Sequence, residues 1–144
     1  MKTVLATVIT TLAMLGTGTA NADPDSGPQP KVIWVDNVHW TQQADGSEVV
    51  SYPAERVTSN LEGDAKVQTH RILEVAHASL PNAPSVTVDV DLRTCDKYGN
   101  CSVTRAAQWV YTRATLNRIN WDLVKSDDIW DVADSGGILA GDWT

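Results

Sequence analysis

Valines set the rhythm in the middle of this chain. In SVTVDVDLRTC (85–95), Val86, Val88, Val90 and Leu92 alternate with Thr87, Asp89, Asp91 and Arg93. A period of two sends successive side chains to opposite faces, so the segment predicts a half-buried β-strand. CSVTRAAQWVYTR (101–113) follows as its partner strand. Nearer the N-terminus, KVIWVDNVHW (31–40) is rich in Val, Ile and Trp and also reads as a strand. Asp45-Gly46 then signals a turn. EVVSY (48–52) makes a second strand, which Pro53 ends or confines to an edge.

AKVQTHRILEVAHASL (65–80) fits neither period cleanly. Wound as a helix, its apolar residues spread around most of the circumference. Laid out as a strand, the alternation changes phase between Val67 and Ile72, and a bulge absorbs such a change. The strand reading is preferred. In the tail, Ser126 followed by acidic residues suits the start of a short helix, with Gly136-Gly137 as its stop. Together these elements predict an all-β, antiparallel β-sandwich-like domain with a short C-terminal helix. A curled sheet against one or two helices is the alternative if residues 65–80 are helical.

The N-terminus changes the picture of where this domain works. Lys2, an uncharged apolar run over residues 4–15 and Ala20-Asn21-Ala22 have the three-part form of a secretory signal peptide. The run is too short for a membrane span. Residues 1–22 are therefore expected to be a signal peptide and residues 23–30, DPDSGPQP, a flexible leader. Residues 31–144 then form a single β-rich domain that is secreted or periplasmic. The chain carries a formal charge of −7. It has no basic patch to meet a phosphate backbone, which disfavours nucleic acid and tight docking to anionic membranes.

Export permits a disulfide, and both cysteines lie in TCDKYGNC (94–101). The spacing of Cys95 and Cys101 is not that of a C-x-x-C redox centre. A zinc site would need further ligands, and His70 and His77 share a face only if their segment is helical. No metal or cofactor is expected. If Asp96 pairs with Asn100, the loop is Lys97-Tyr98-Gly99. That is the common three-residue hairpin, with Gly99 where positive φ is required. Cys95 and Cys101 then face each other within disulfide reach. The loop is so short that closing it contributes only about 2 kcal/mol.

This register assigns faces to the whole hairpin. Val86, Val88, Val90 and Leu92, opposite Val110, Gln108, Ala106 and Thr104, make the core face. The other face sets Asp91 opposite Arg105, Asp89 opposite Ala107, Thr87 opposite Trp109 and Ser85 opposite Tyr111. Trp109, Tyr111, Asp89, Asp91, Arg93 and Arg105 are thus the candidate binding residues. Flat aromatic rings beside carboxylates and guanidinium groups suit a sugar or a protein surface. The expected function is a noncatalytic binding domain with a protein or carbohydrate partner. Two alternatives stand beside it. Asp89 and Asp91, about 7 Å apart along one strand, resemble the carboxylate pair of a small hydrolase. The Lys97-Tyr98 tip could serve an inhibitor. No G-x-S-x-G, H-E-x-x-H or phosphate-binding glycine loop is present. The six tryptophans, with no phenylalanine, leave open which of them are core.

Overall fold

The computed structural model describes residues 29–144. The expected signal peptide and most of the expected leader lie outside the described residues. The last two leader residues are tied down. The Gln29 amide exchanges hydrogen bonds with the main chain of Trp40, and the Trp40 indole donates to the Pro30 carbonyl at 3.0 Å.

The domain is a mixed α/β fold built on one open sheet, not the expected all-β sandwich. Its elements are β1 (His39–Gln42), β2 (Glu48–Pro53), α1 (Leu61–Ser79), β3 (Ser85–Cys95), β4 (Cys101–Thr112), α2 (Arg113–Arg118), a 3₁₀ turn (Ser126–Asp128) and β5 (Ser135–Ile138). The five strands lie in sequence order. β2 and β3 pair in parallel and the other neighbours are antiparallel. A parallel pair cannot be joined by a tight turn, and α1 is the crossover that joins this one.

The segment expected to be a strand at 65–80 is the body of α1. Asn60 caps it by accepting from the Gly63 N–H at 2.9 Å, and Glu62 and Asp64 lie in its first turn, where negative charge suits the helix dipole. Its buried face runs Leu61, Asp64, Ala65, Gln68, Thr69, Ile72, Leu73 and Ala76, which is helical spacing. The pattern was hard to read because polar residues occupy the middle of that face. Each finds a distant partner. The Gln68 amide donates to the Glu55 carbonyl at 2.9 Å and accepts from its N–H at 3.2 Å. The Thr69 hydroxyl lies 2.8 Å from the Tyr52 hydroxyl and 3.2 Å from the Trp130 indole nitrogen, which donates to it. Satisfied in this way, buried polar groups cost little.

The strand expected at 31–40 shrinks to β1. Trp34 and Asn37 have φ of 69° and 57°, which interrupts any extended run. The Asp45-Gly46 turn does join β1 to β2, with Gly46 at φ 89°. Pro53 is the last residue of β2.

The β3–β4 hairpin keeps the expected register from Cys95–Cys101 up to Asp91–Arg105. There it breaks. Val90 pairs with Ala107, so Ala106 is the extra residue of a β-bulge. Its carbonyl accepts from the N–H groups of Leu139 (2.8 Å) and Ala140 (3.2 Å), which anchors the chain after β5. One extra residue exchanges the faces of everything beyond it. Trp109 therefore pairs with Val88 and Tyr111 with Val86, on the core side.

That core lies between the sheet and α1. Trp40, Val50, Tyr52, Val86, Val88, Val90 and Tyr111 from the strands meet Ala65, Ile72, Leu73 and Ala76 of the helix. Ile129 and Trp130 complete the layer. The tail forms one 3₁₀ turn in place of the expected helix, and Gly136-Gly137 lies inside β5. Gly136 has φ 118°, and a Cβ there would collide with the Gln108 main chain, so no other residue fits. Trp143 packs back, edge-on to Trp130 at 5.6 Å between ring centroids.

Candidate functional site

α1 and the aromatic layer cover one face of the sheet. The other face is left uncovered by the described residues. Pairing across the strands sets out its rows. One row runs Thr41, Val49, Thr87, Val110, Ser135, and the next runs His39, Ser51, Asp89, Gln108, Gly137. Pro53, Asp91 and Arg105 follow, and then Arg93 with Val103.

The charged residues of this face form one connected group. The Arg105 Nη1 lies 2.9 Å from Asp89 Oδ2, and its Nε lies 2.6 Å from Asp91 Oδ1. Gln108 Nε2 donates to the other Asp89 oxygen at 2.7 Å. Asp89 is only 5 % exposed. A buried carboxylate demands such partners, and a guanidinium fork supplies two donors in a fixed geometry. The same bridge fills the gap between Asp89 and Asp91 that a hydrolase would need for its substrate.

Beyond Asp91 the hairpin leaves the sheet. β2 stops pairing at Pro53 and β5 at Ile138. Residues 93–105 are all exposed, and from Arg93–Val103 to the tip they pair only with one another, so they form an arm. A two-stranded ribbon alone is marginally stable in water. Here its tip is held by a Cys95–Cys101 disulfide and by bonds across the turn. The Gly99 N–H donates to the Asp96 carbonyl at 3.0 Å, and the Asp96 N–H to the Asn100 carbonyl at 2.9 Å. Gly99 has the expected positive φ, 85°. The Asp96 carboxylate accepts from the N–H groups of Asn100 (2.9 Å) and Tyr98 (2.8 Å). The bonds from Asn100, main chain and side chain, are the chief reason that its carboxyl is held below the usual range. Tyr98 and Val103 stand out from the arm, 76 % and 62 % exposed. Arg93 is exposed and, among the described residues, makes no ion pair.

Four of the six expected residues, Asp89, Asp91, Arg93 and Arg105, share the open face. Trp109 and Tyr111 do not. Tyr111 is fully buried, and its hydroxyl donates to the Ile129 carbonyl at 2.7 Å. Burial also drives that phenol's pKa upward. Trp109 stacks on Trp130 with 5.1 Å between centroids. Gln108 and Val110 were placed in the core by the unbulged register and belong to the site. The warning was in the sequence: that register buries Gln108 against Val88, and Ala106-Ala107 offers two small residues beside it.

Two histidines found another role. His70 and His77 do share a face of α1, and both pack against Trp121, with centroids 5.8 and 5.5 Å away. Among the described residues no group of three His, Cys, Asp or Glu side chains is placed to hold a metal ion. Nor is any described helix long and apolar enough to cross a membrane. A cavity of about 570 Å³ opens beside α1 between Val32, Arg71, His77 and Trp121. Another of about 540 Å³ lies against α2. Neither is lined by residues of the open face. Compared with protein-family models, curated proteins and solved structures, the chain matches none.

Proposed function

We propose that this is an exported, noncatalytic binding domain that recognises a protein through the open sheet face and its arm. The observation that carries the reading is continuity. Asp89, Asp91, Arg93 and the cystine lie on the same side of β3, so the face extends along the arm to the exposed Tyr98 tip without being covered. A flat surface of this kind suits another protein, whereas small ligands are held in concave sites. With Trp109 and Tyr111 turned inward, the face also lacks the ring platform that favours a sugar. The Arg105 bridge between the two carboxylates supports a recognition role over catalysis. The exposed disulfide and the signal-like N-terminus support export.

The test is site-specific photo-crosslinking. A benzoylphenylalanine at Thr87 should capture a protein from the extracellular medium of the producing cells, whereas one at Arg71 on α1 should not. Arg93→Glu should reduce the Thr87 crosslink about tenfold, as expected for a charge at an interface. Equal capture from Thr87 and Arg71, or capture indifferent to Arg93→Glu, would remove this face from consideration. Binding to a glycan array that survives protease treatment of the ligands would point to carbohydrate instead.

A further inference from the structure

We infer that the partner of the open face is a second copy of this chain, docked sheet against sheet. The inference rests on the binding role proposed above and names its occupant. Charge favours this occupant. The chain carries −7, so two copies repel one another over most of their surface. On the open face Asp89 and Asp91 are balanced by Arg93 and Arg105. This neutral patch is where two identical acidic molecules can approach. A cationic partner would be drawn to the acidic remainder of the molecule, not to this face.

Shape favours it too. The row Val49, Thr87, Val110 is half-buried and carries no long side chain, and in the row beside it, Ser51, Asp89, Gln108, Gly137, the Gln108 side chain is bound down to Asp89 together with Arg105. Flat sheet faces of this kind pack on one another about 10 Å apart. Area limits the contact. Five strands about 4.8 Å apart, crossed with roughly 26 Å of β3, give at most about 600 Å². A stable interface needs about 800 Å² from each partner. The face alone falls short, and the arm, with exposed Val103 and Tyr98, supplies the remainder by reaching over the partner's edge. The expected association is reversible and in the micromolar range.

Sedimentation velocity on the purified exported chain, from about 1 to 300 µM, should show the mass rise from one copy to two. Val110→Glu and Thr87→Glu each bring carboxylates face to face across the junction, and either should weaken association at least tenfold. Val67→Glu, on the exposed side of α1, should leave it unchanged. If circular dichroism shows that Val110→Glu does not fold, Ser135→Glu at the edge of the face replaces it. A single-copy mass at every concentration overturns the inference, as does a dimer that the face substitutions leave intact and Val67→Glu disrupts. A persistent monomer whose Thr87 crosslinks a different protein overturns self-docking and leaves the binding role standing.

Discussion

The β3–β4 ribbon has two halves held by different means. From Ser85 to Val90 it lies in the middle of the sheet, with β2 on one side, β5 on the other and α1 behind. From Arg93 outward its strands have only each other. The inner half takes its register from burial: Val86, Val88 and Val90 must face the helix together with Tyr111 and Trp109, and the extra residue Ala106, itself buried beside Leu92, allows it. The outer half takes its register from turn chemistry, through Gly99, the Asp96 bonds and the cystine. The junction between the two regimes is where the Asp89–Arg105–Asp91 group sits. The charged site thus stands where the ribbon changes from packed core to free arm, and it is fixed by bonds within itself.

That difference is open to attack. Tyr111→Ala in the inner half should have the largest effect, because it empties a fully buried aromatic socket and removes the hydroxyl that donates to the Ile129 carbonyl. Removing one large buried aromatic costs about 3–5 kcal/mol, enough to unfold a small domain. The check is loss of a cooperative transition in thermal or urea denaturation. Val103→Ala in the outer half should change stability by no more than about 0.5 kcal/mol. Comparable losses from both changes would show that the halves are not distinct.

A smaller, local effect is expected from Cys95→Ser with Cys101→Ser. The global midpoint should fall by the equivalent of about 2 kcal/mol or less. Amide exchange should quicken from Arg93 to Val103 while Val86 to Val90 stay protected. Equal loss of protection in the inner half would mean that the staple supports the whole ribbon.

The smallest effect is one of pH, and its sign should differ between β2, which flanks the inner half, and the arm. Burial raises the Glu48 carboxyl above its ordinary value near 4.5. Glu48 therefore burdens the fold most when ionised, and stability from this group declines as pH rises through its raised pKa. Asp96 is the reverse: its carboxyl is held low, so its contribution is present above the ordinary value near 3.8 and is lost as pH falls through the lowered one. Glu48→Gln should raise the melting temperature slightly at pH 7 and leave it unchanged at pH 3. Acid should meanwhile loosen the arm first by amide exchange. A Glu48→Gln gain that persists at pH 3 would have a cause other than the carboxyl charge.

What the sequence by itself determined is local. The Asp45-Gly46 turn, the three-residue loop at Lys97-Tyr98-Gly99, the cysteine pairing, the valine face of β3 and the Asp91–Arg105 pair were all legible. Each depends on residues that are close along the chain or directly opposite across one turn. The tertiary structure decided the rest. α1 was obscured because Gln68 and Thr69 interrupt its apolar face, and Thr69 meets a Trp130 donor 61 residues away. The face of Trp109 and Tyr111 was reversed by a bulge whose carbonyl is taken up by the chain after β5. Gly136-Gly137, a stop signal on its own, became strand because Gln108 leaves no room for a Cβ. In each case a buried polar or steric demand was met by a partner remote in sequence, and only the folded sheet brings those partners together.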